Sequence, residues 1–428
     1  MAPIDTSRPT RLGRTNTANS PMSQILQRFV ALDLHKKSVT IAAVFQDQEV
    51  AMKPRNVPLR RLHHWCRKNL RATDQVVMET GPNTWHSYDL IVGFVERVAV
   101  AGARKLRAMA GGAPKTDKRD ALFPARLLAT GMVPEVWVPP HHVREVRQLI
   151  AYRSRIVKRA TAARNRLHSL LTRMHTSPPG GDPFGASNRT WWKRLDVSAT
   201  QAMVVRQDLE TLDSAESQIA EVNEHLAQLS IAEPWHDDTT FVMQLPGFGI
   251  VNTMTVLSAI GTIDRFPTPD HLVGYSGLGA RISQSGDTVR TGRITKTGRR
   301  ELRTALVQAA WTAVTTDNYW RDRFSGLERR IGAQKAVIAI ARKLLVVIWH
   351  VLTWREAARH GDPQHTARKM FHWASKYRLA TSARMSRKEF VHRELQRLGL
   401  GRLPIAIRDG RWTLRFNSDA PAMPATTP

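Results

Sequence analysis

Cysteine is almost missing from this chain: Cys66 is the only one in 428 residues. A disulfide scaffold, a cysteine zinc site and cysteine-pair redox chemistry are therefore excluded, and a reducing, cytoplasmic compartment is expected. Acid is scarce beside base. Asp and Glu number 36 against 64 Lys and Arg, a formal net charge of +28. Self-repulsion of that size is relieved by a polyanion, and nucleic acid is the first to consider. Long apolar runs are also lacking. The longest, Leu344 to Trp354, is broken upstream by Arg342 and Lys343. It falls short of the ~20 residues that cross a bilayer, so no membrane partner is expected. The first 24 residues contain no apolar stretch of the kind a secretory signal needs. Hydrophobic residues still make up 42% of the chain, which is enough for real cores.

The charge is unevenly distributed, and the composition divides the chain. Residues 1–26 and 417–428 are polar or Pro-rich and read as disordered tails. From 27 to 140 short β-branched runs alternate with helical spacing: RFVALDL, SVTIAAVF, DQVVMET and RVAVAG as strands, with VPLRRLHHWCRKNL, NTWHSYDLIVGFV and KTDKRDALFPARLLATG as helices. Pro124 is expected to kink the last of these. Alternation of this kind implies a layered α/β domain. Residues 141–235 are helical. The stretch 141–175 carries nine Arg or Lys against one Glu, and 194–230 carries two against seven acids. Two long helices of opposite sign suggest an antiparallel hairpin or coiled-coil arm, although two ordinary solvated helices would read alike. Residues 236–356 form a third, mostly helical region. The segment 361–416 is a basic extension with Trp373, Tyr377, Phe390 and Trp412 among its arginines. Those aromatics either stack on unpaired bases or form the small core of a helical module.

Four acids have the spacing of a metal site. Asp33 ends the first strand and Glu79 ends a later one, and such strand ends are where sites assemble in open sheets. Asp117 and Asp120 stand three apart, on one face of a helix. Four converging carboxylates repel unless a divalent cation neutralises them, and hard oxygen donors select Mg²⁺ or Mn²⁺. Lys115 and Arg119, with Lys118, would hold a phosphate backbone nearby. Taken singly, each acid could equally cap a turn or a helix start.

Two further signals lie in the third region. LPGFGIVNTMTVLSAIG places Gly247 and Gly249 in a tight turn opening an apolar helix, the outline of a helix-hairpin-helix element that lets backbone N–H groups approach a phosphate. A plain inter-helix turn would look similar. From Arg281 to Gly298 the chain is polar, Gly-rich and basic with no apolar period, and is expected to be a long loop. It holds Ser283 and Ser285, followed by Arg290, Arg293, Lys296, Arg299, Arg300 and Arg303. A serine hydroxyl becomes a nucleophile when its proton is removed, and arginines stabilise charge developing on an attacked phosphate. A solvated loop with turn-capping serines is the plainer reading.

ALDLHKKSVTIAAV, VVMETGPNTW, ARKLRAM and KTDKRDALFPARLLATG together resemble the DEDD transposases of the insertion-sequence family numbered one hundred and ten. PGFG, YSGLGAR, QSGDTVRTGRITKTGRRELRTALVQAA and AVIAIARKLLVVIWHVL resemble that family's C-terminal transposase domain. The likeness runs in the family's own order from about Phe29 to Trp354. It implies a RuvC-like, RNase H-type N-terminal domain whose tetrad is Asp33, Glu79, Asp117 and Asp120. It also implies a serine nucleophile in the S-G step, here Ser285, with Ser283 in reserve, forming a phosphoserine link to DNA. The family often carries a serine where Gln284 stands, and it usually ends near Trp354. Partners implied by the resemblance are target and donor DNA, a bridge RNA that pairs with both, and further copies of the chain in a dimer or tetramer. The setting it implies is the prokaryotic cytoplasm, at the nucleoid. Two other functions fit the residues: a metal-dependent junction nuclease that uses water, and a non-catalytic nucleic-acid-binding protein.

Overall fold

A computed structural model describes residues 27–111, 117–285, 288–403, 405–409 and 412–416, with backbone alone at 117–120, 285, 289, 291, 409, 412 and 414. The two tails, Lys115 and Gly286 lie outside the described residues. The chain divides after Val138 into two compact units.

The first unit is built on a five-stranded sheet of order β3-β2-β1-β4-β5. Its strands are β1 (Arg28–Leu34), β2 (Ser38–Phe45), β3 (Val50–Pro58), β4 (Gln75–Glu79) and β5 (Arg97–Ala101). β1, β2 and β3 pair antiparallel, whereas β1, β4 and β5 run parallel. β1 and β4 are apolar on both faces because both faces are covered. Val30, Leu32, Val76 and Met78 pack against α1 (Leu62–Asn69) and α2 (Thr84–Ile91). Phe29, Ala31 and Val77 pack against α3 (Ala103–Met109) and α4 (Asp117–Ala129). Cys66 lies in the first of these cores, where burial pushes its thiol up to about 12, so it is inert.

One expectation needs correction here. VPLRRLHHWCRKNL is not one helix: Val57 and Pro58 belong to β3, a 3₁₀ turn spans Leu59–Arg61, and α1 starts at Leu62. β3 itself carries no apolar period because it is the sheet edge, where Lys53, Pro54 and Arg55 guard against pairing with another chain.

The second unit is mostly helical. α5 (His141–Arg173) and α7 (Ala199–Ser230) form the expected hairpin, joined through a loop and the short α6 (Arg189–Lys193). Arg153 meets Asn223, Arg159 meets Gln218, Arg164 meets Glu216 and Arg166 meets Asp208, so partners descend on α7 as they ascend on α5. That order makes the pair antiparallel. There follow α8 (His236–Met243), α9 (Ile250–Ile260), α10 (Pro269–Ser276), the hairpin β6 (Ala280–Ser285) and β7 (Thr288–Ile294), α11 (Arg300–Thr316), α12 (Asn318–Ile331) and α13 (Ala333–Trp354). α13 runs through Arg342 and Lys343, and its 22 residues are long and apolar enough to cross a membrane by length and composition. Ala336, Ile340, Leu344, Leu345 and Ile348 are instead buried inside this unit against its other helices.

The basic extension folds as α14 (Pro363–Lys376), α15 (Leu379–Ser382), α16 (Arg387–Arg397) and the hairpin β8 (Ile405–Asp409) with β9 (Trp412–Phe416). Trp373 and Phe390 meet edge-on at 5.4 Å and are 1% and 0% exposed, so these two rings form a core and are not free to stack on bases. The module is tied to α8. Glu394, fully buried, accepts from the Thr240 hydroxyl at 2.5 Å and pairs with His236 at 3.1 Å. The Lys369 ammonium donates to the carbonyls of Met243 and Leu245 at 2.5 and 2.6 Å.

Candidate active site

Asp33 is the last residue but one of β1, and Glu79 is the last of β4. These parallel neighbours pair Leu32 with Met78, so the next residues along are Asp33 and Glu79, side by side. By the two-residue period of a strand, both belong to the face of Phe29, Ala31 and Val77, the one covered by α3 and α4. α4 lies along that face with a definite direction. The Gln46 amide, just past β2, donates to the carbonyl of Ala129 at 2.9 Å, so the last turn of α4 sits where β2 ends and β1 begins. Thirteen helical residues span about 20 Å at 1.5 Å each, and the five steps from Arg28 to Asp33 span about 16 Å. The length of α4 thus matches the run of β1 from its start to Asp33. The side chains of Asp117, Arg119 and Asp120 lie outside the described residues.

The two strand-end acids have cationic or polar neighbours. Asp33 lies 3.3 Å from His35 Nε2, which also meets the Thr40 hydroxyl at 3.4 Å. The Asn83 amide donates to the His35 carbonyl at 3.1 Å, tying the β1 end to the start of α2. Glu79 lies 3.6 Å from Arg107 of α3. Asp33 and Glu79 side chains are 28% and 34% exposed, open enough for a solvated ion. Two hard oxygen donors on adjacent strand ends fit a divalent cation of the Mg²⁺ or Mn²⁺ type. His35 and Arg107 were not singled out in the sequence. The signal for His35 was its place two residues after Asp33, in the turn that follows β1.

In the second unit the serine segment is a hairpin, not the expected loop. Ser283 pairs with Arg290 and Ser285 with Thr288. Ile282, Val289 and Ile294 are β-formers, but Ile282 is 70% exposed and Ile294 only half-buried, so no apolar alternation marks the strands. Ser283, Arg290, Arg293 and Lys296 are exposed; of Ser285 only the backbone is described.

The hairpin base is fixed. A Cβ on Gly298 would stand 1.7 Å from the Tyr275 carbonyl oxygen, so only glycine lets the two segments cross there. The Arg303 guanidinium donates to the carbonyls of Ser276 and Gly298 at 3.0 and 2.8 Å, which gives this arginine a structural duty. Arg299 caps α11 and Arg300 is exposed in its first turn. Arg299 also lies near Arg147, whose guanidinium is lowered to about 10 by burial first and then by that like charge.

The glycine turn opens α9, with Gly249 as its N-cap. Gly247 has φ +80°, and an added Cβ would meet the Ala309 carbonyl oxygen at 2.3 Å. Its freedom is used for close approach to α11, which packing alone explains. Gly249 faces open space. Among the described residues, one group of three ligand-type side chains has its ligand atoms within 4.8 Å of one another, and it lies apart from the strand-end acids: Glu233, His236 and Asp237. Arg397 donates to Asp237 and meets the His236 ring, so the protein's own cation already serves that cluster.

The family model described as DEDD Tnp IS110, transposase, matches residues 30–176, and that of the transposase IS116/IS110/IS902 family matches 239–325. The first spans the sheet, α4 and α5; the second spans the glycine turn and the serine hairpin. A protein described as "Putative transposase y4qE" from Sinorhizobium fredii is 26% identical over 234 residues, covering 55% of this chain and 57% of that protein. The "Transposase for insertion sequence element IS1111A" of Coxiella burnetii is 25% identical over 260 residues, 58% of this chain and 69% of that one. The "Pilin gene-inverting protein" of Moraxella bovis is 33% identical over 112 residues, 25% of this chain and 34% of its own. The chain thus spans little more than half the length of the first of these relatives. Two family models matched in tandem, over more than half of the sequence and on the two segments that carry the acids and the serines, place the chain in the IS110 family of transposases.

Proposed function

We propose that this protein is a DNA transposase or recombinase with two cooperating centres. One is a RuvC-like acidic centre of Asp33, Glu79, Asp117 and Asp120; the other is a nucleophilic serine, Ser285, on the β6–β7 hairpin. The observation that carries the reading is the pairing of β1 with β4 in parallel, which sets Asp33 and Glu79 side by side on the face that α4 covers. The sheet order 3-2-1-4-5, with three antiparallel strands followed by two parallel ones, supports the RNase H type of domain. A bound divalent cation, Mg²⁺ or Mn²⁺, would supply electrostatic stabilisation of a phosphodiester in reaction. The protein's own groups do the rest.

The serine oxygen attacks a backbone phosphorus and displaces one sugar oxygen, which leaves as a hydroxyl. Its proton passes to a neighbouring base or water. Attack by a hydroxyl of the other strand then reverses the step, restoring a phosphodiester and the free serine. Arg290 and Arg293, exposed on the same hairpin, stabilise the charge on the attacked phosphate. Bond energy is conserved, so no nucleotide cofactor is needed. A guide RNA pairing with target and donor DNA, and assembly into a dimer or tetramer, complete the proposal.

The test is a denaturing gel of labelled DNA, with the candidate RNA and Mg²⁺. Wild-type protein should give a covalent protein–DNA adduct that Ser285→Ala lacks and Ser283→Ala retains. Free cut ends without adduct would replace the serine by water, and unchanged DNA would leave only a binder.

A further inference from the structure

We propose that Arg107 is the built-in counter-ion of the acidic centre and that it contacts a nucleic-acid phosphate once a divalent cation takes Glu79. The proposal rests on the reading of Asp33 and Glu79 as cation ligands.

Each strand-end acid has a basic neighbour: His35 at 3.3 Å from Asp33, and Arg107 at 3.6 Å from Glu79. The two bases are held differently. The His35 backbone is fixed by β1 and by Asn83, and its ring also meets Thr40. Arg107 sits on α3, whose backbone is anchored by buried Leu106 and by the Ala103 N–H donating to the Thr80 hydroxyl at 3.1 Å. Its side chain is 70% exposed, so a fixed Cα carries a guanidinium free to turn on a long tether.

An exposed pair of this geometry contributes at most about 1 kcal/mol, so a doubly charged ion displaces it readily. The freed guanidinium is then repelled by the ion and drawn to the phosphate that the ion attracts. Its planar fork fits two phosphate oxygens in a way an ammonium does not. Arg107 thus lowers the affinity of the empty site for cations and raises that of the filled site for nucleic acid. Loading of metal and of substrate are coupled through one side chain.

The experiment measures Mn²⁺ binding to the full chain without nucleic acid, from the paramagnetic resonance signal of the free ion. It then measures binding of a labelled DNA duplex by anisotropy, with and without Mn²⁺. Arg107→Gln should bind Mn²⁺ more tightly by about twofold to fivefold, the size of an exposed ion pair. Its DNA affinity should fall severalfold with Mn²⁺ present and stay at the wild-type value without it. Arg107→Lys should keep wild-type Mn²⁺ affinity yet share the loss of DNA affinity, because it has the charge without the fork. Unchanged Mn²⁺ affinity in Arg107→Gln, or unchanged DNA affinity in Mn²⁺, overturns the proposal. Asp33→Asn separates the two levels of the argument. If it leaves Mn²⁺ binding at the wild-type level, the acidic centre itself is refuted and Arg107 falls with it; if it weakens Mn²⁺ binding, the Arg107 variants decide.

Discussion

Lys369 offers the most quantitative test of how the extension is joined to the second unit. Lys369 is half-buried, and its ammonium donates to two backbone carbonyls, those of Met243 and Leu245, at the end of α8 just before the glycine turn. Carbonyls are weak compensation for a buried full charge, so burial lowers its pKa from 10.5 to about 7. The unfolded chain therefore binds more protons than the folded chain between about pH 7 and 10.5, and stability rises with pH across that window. A shift of that size corresponds to about 5 kcal/mol in full, at about 1.4 kcal/mol per unit. Below pH 7 the whole cost is present; above 10.5 none of it is.

Lys369→Met keeps the apolar stem and removes the titration. It also deletes two hydrogen bonds, which costs about 1–3 kcal/mol for each stranded carbonyl. That loss does not depend on pH, so it cancels when the gap between wild type and variant is compared at two pH values. Between pH 6.5 and 9.5 the gap should move by about 3 kcal/mol in favour of the wild type, leaving the two near parity on the acid side. Guanidinium unfolding followed by tryptophan emission is a suitable assay, because nine of the twelve tryptophans lie beyond Val138. A gap that stays constant, or that moves the other way, would refute the buried ammonium.

Three further outcomes follow from other contacts. Arg28 donates twice to Asp74, at 2.9 and 2.6 Å, and Asp74 is fully buried; Arg28→Met strands that carboxylate and should destabilise the first unit by about 3–5 kcal/mol, read as a fall in its thermal midpoint. Gly247→Ala forces a Cβ to 2.3 Å from the Ala309 carbonyl oxygen at φ +80°, so it should lower the stability of the second unit by more than 2 kcal/mol even with no DNA present; normal stability with weakened DNA binding would instead make the turn a phosphate contact. Arg290→Gln with Arg293→Gln removes two exposed cations from the serine hairpin, and the slope of log affinity against log salt should shrink by about 2, whereas an unchanged slope would take the hairpin off the phosphate backbone.

The elements legible in the sequence were those whose burial is periodic. β1, β2, β4 and β5 stand where their apolar runs predict, and α5 and α7 pair with the polarity that their opposite charges imply. Those that escaped lack a buried face to impose a period: β3, a sheet edge with two prolines and two cations, and the β6–β7 hairpin, largely exposed among its described residues. α13 misled in the opposite direction. Arg342 and Lys343 interrupt its apolar run in the sequence, but a helix distributes them to one side and continues its buried stripe through Ala341, Leu344 and Leu345. The candidate site divides along the same line. Asp33 and Glu79 are announced by strand ends, and Asp117 and Asp120 by helical spacing, because each reports local geometry. Arg107 and Lys369 do nothing locally that sets them apart from 62 other basic residues; their partners, Glu79 and the carbonyls of Met243 and Leu245, are 28 and more than 120 positions away. A long-range partner leaves no local period, so such residues become visible only when the fold brings the two segments together. That is also why the hairpin serines stay ambiguous in sequence: Ser283 and Ser285 share one strand face, and only the chemistry of the adduct can tell them apart.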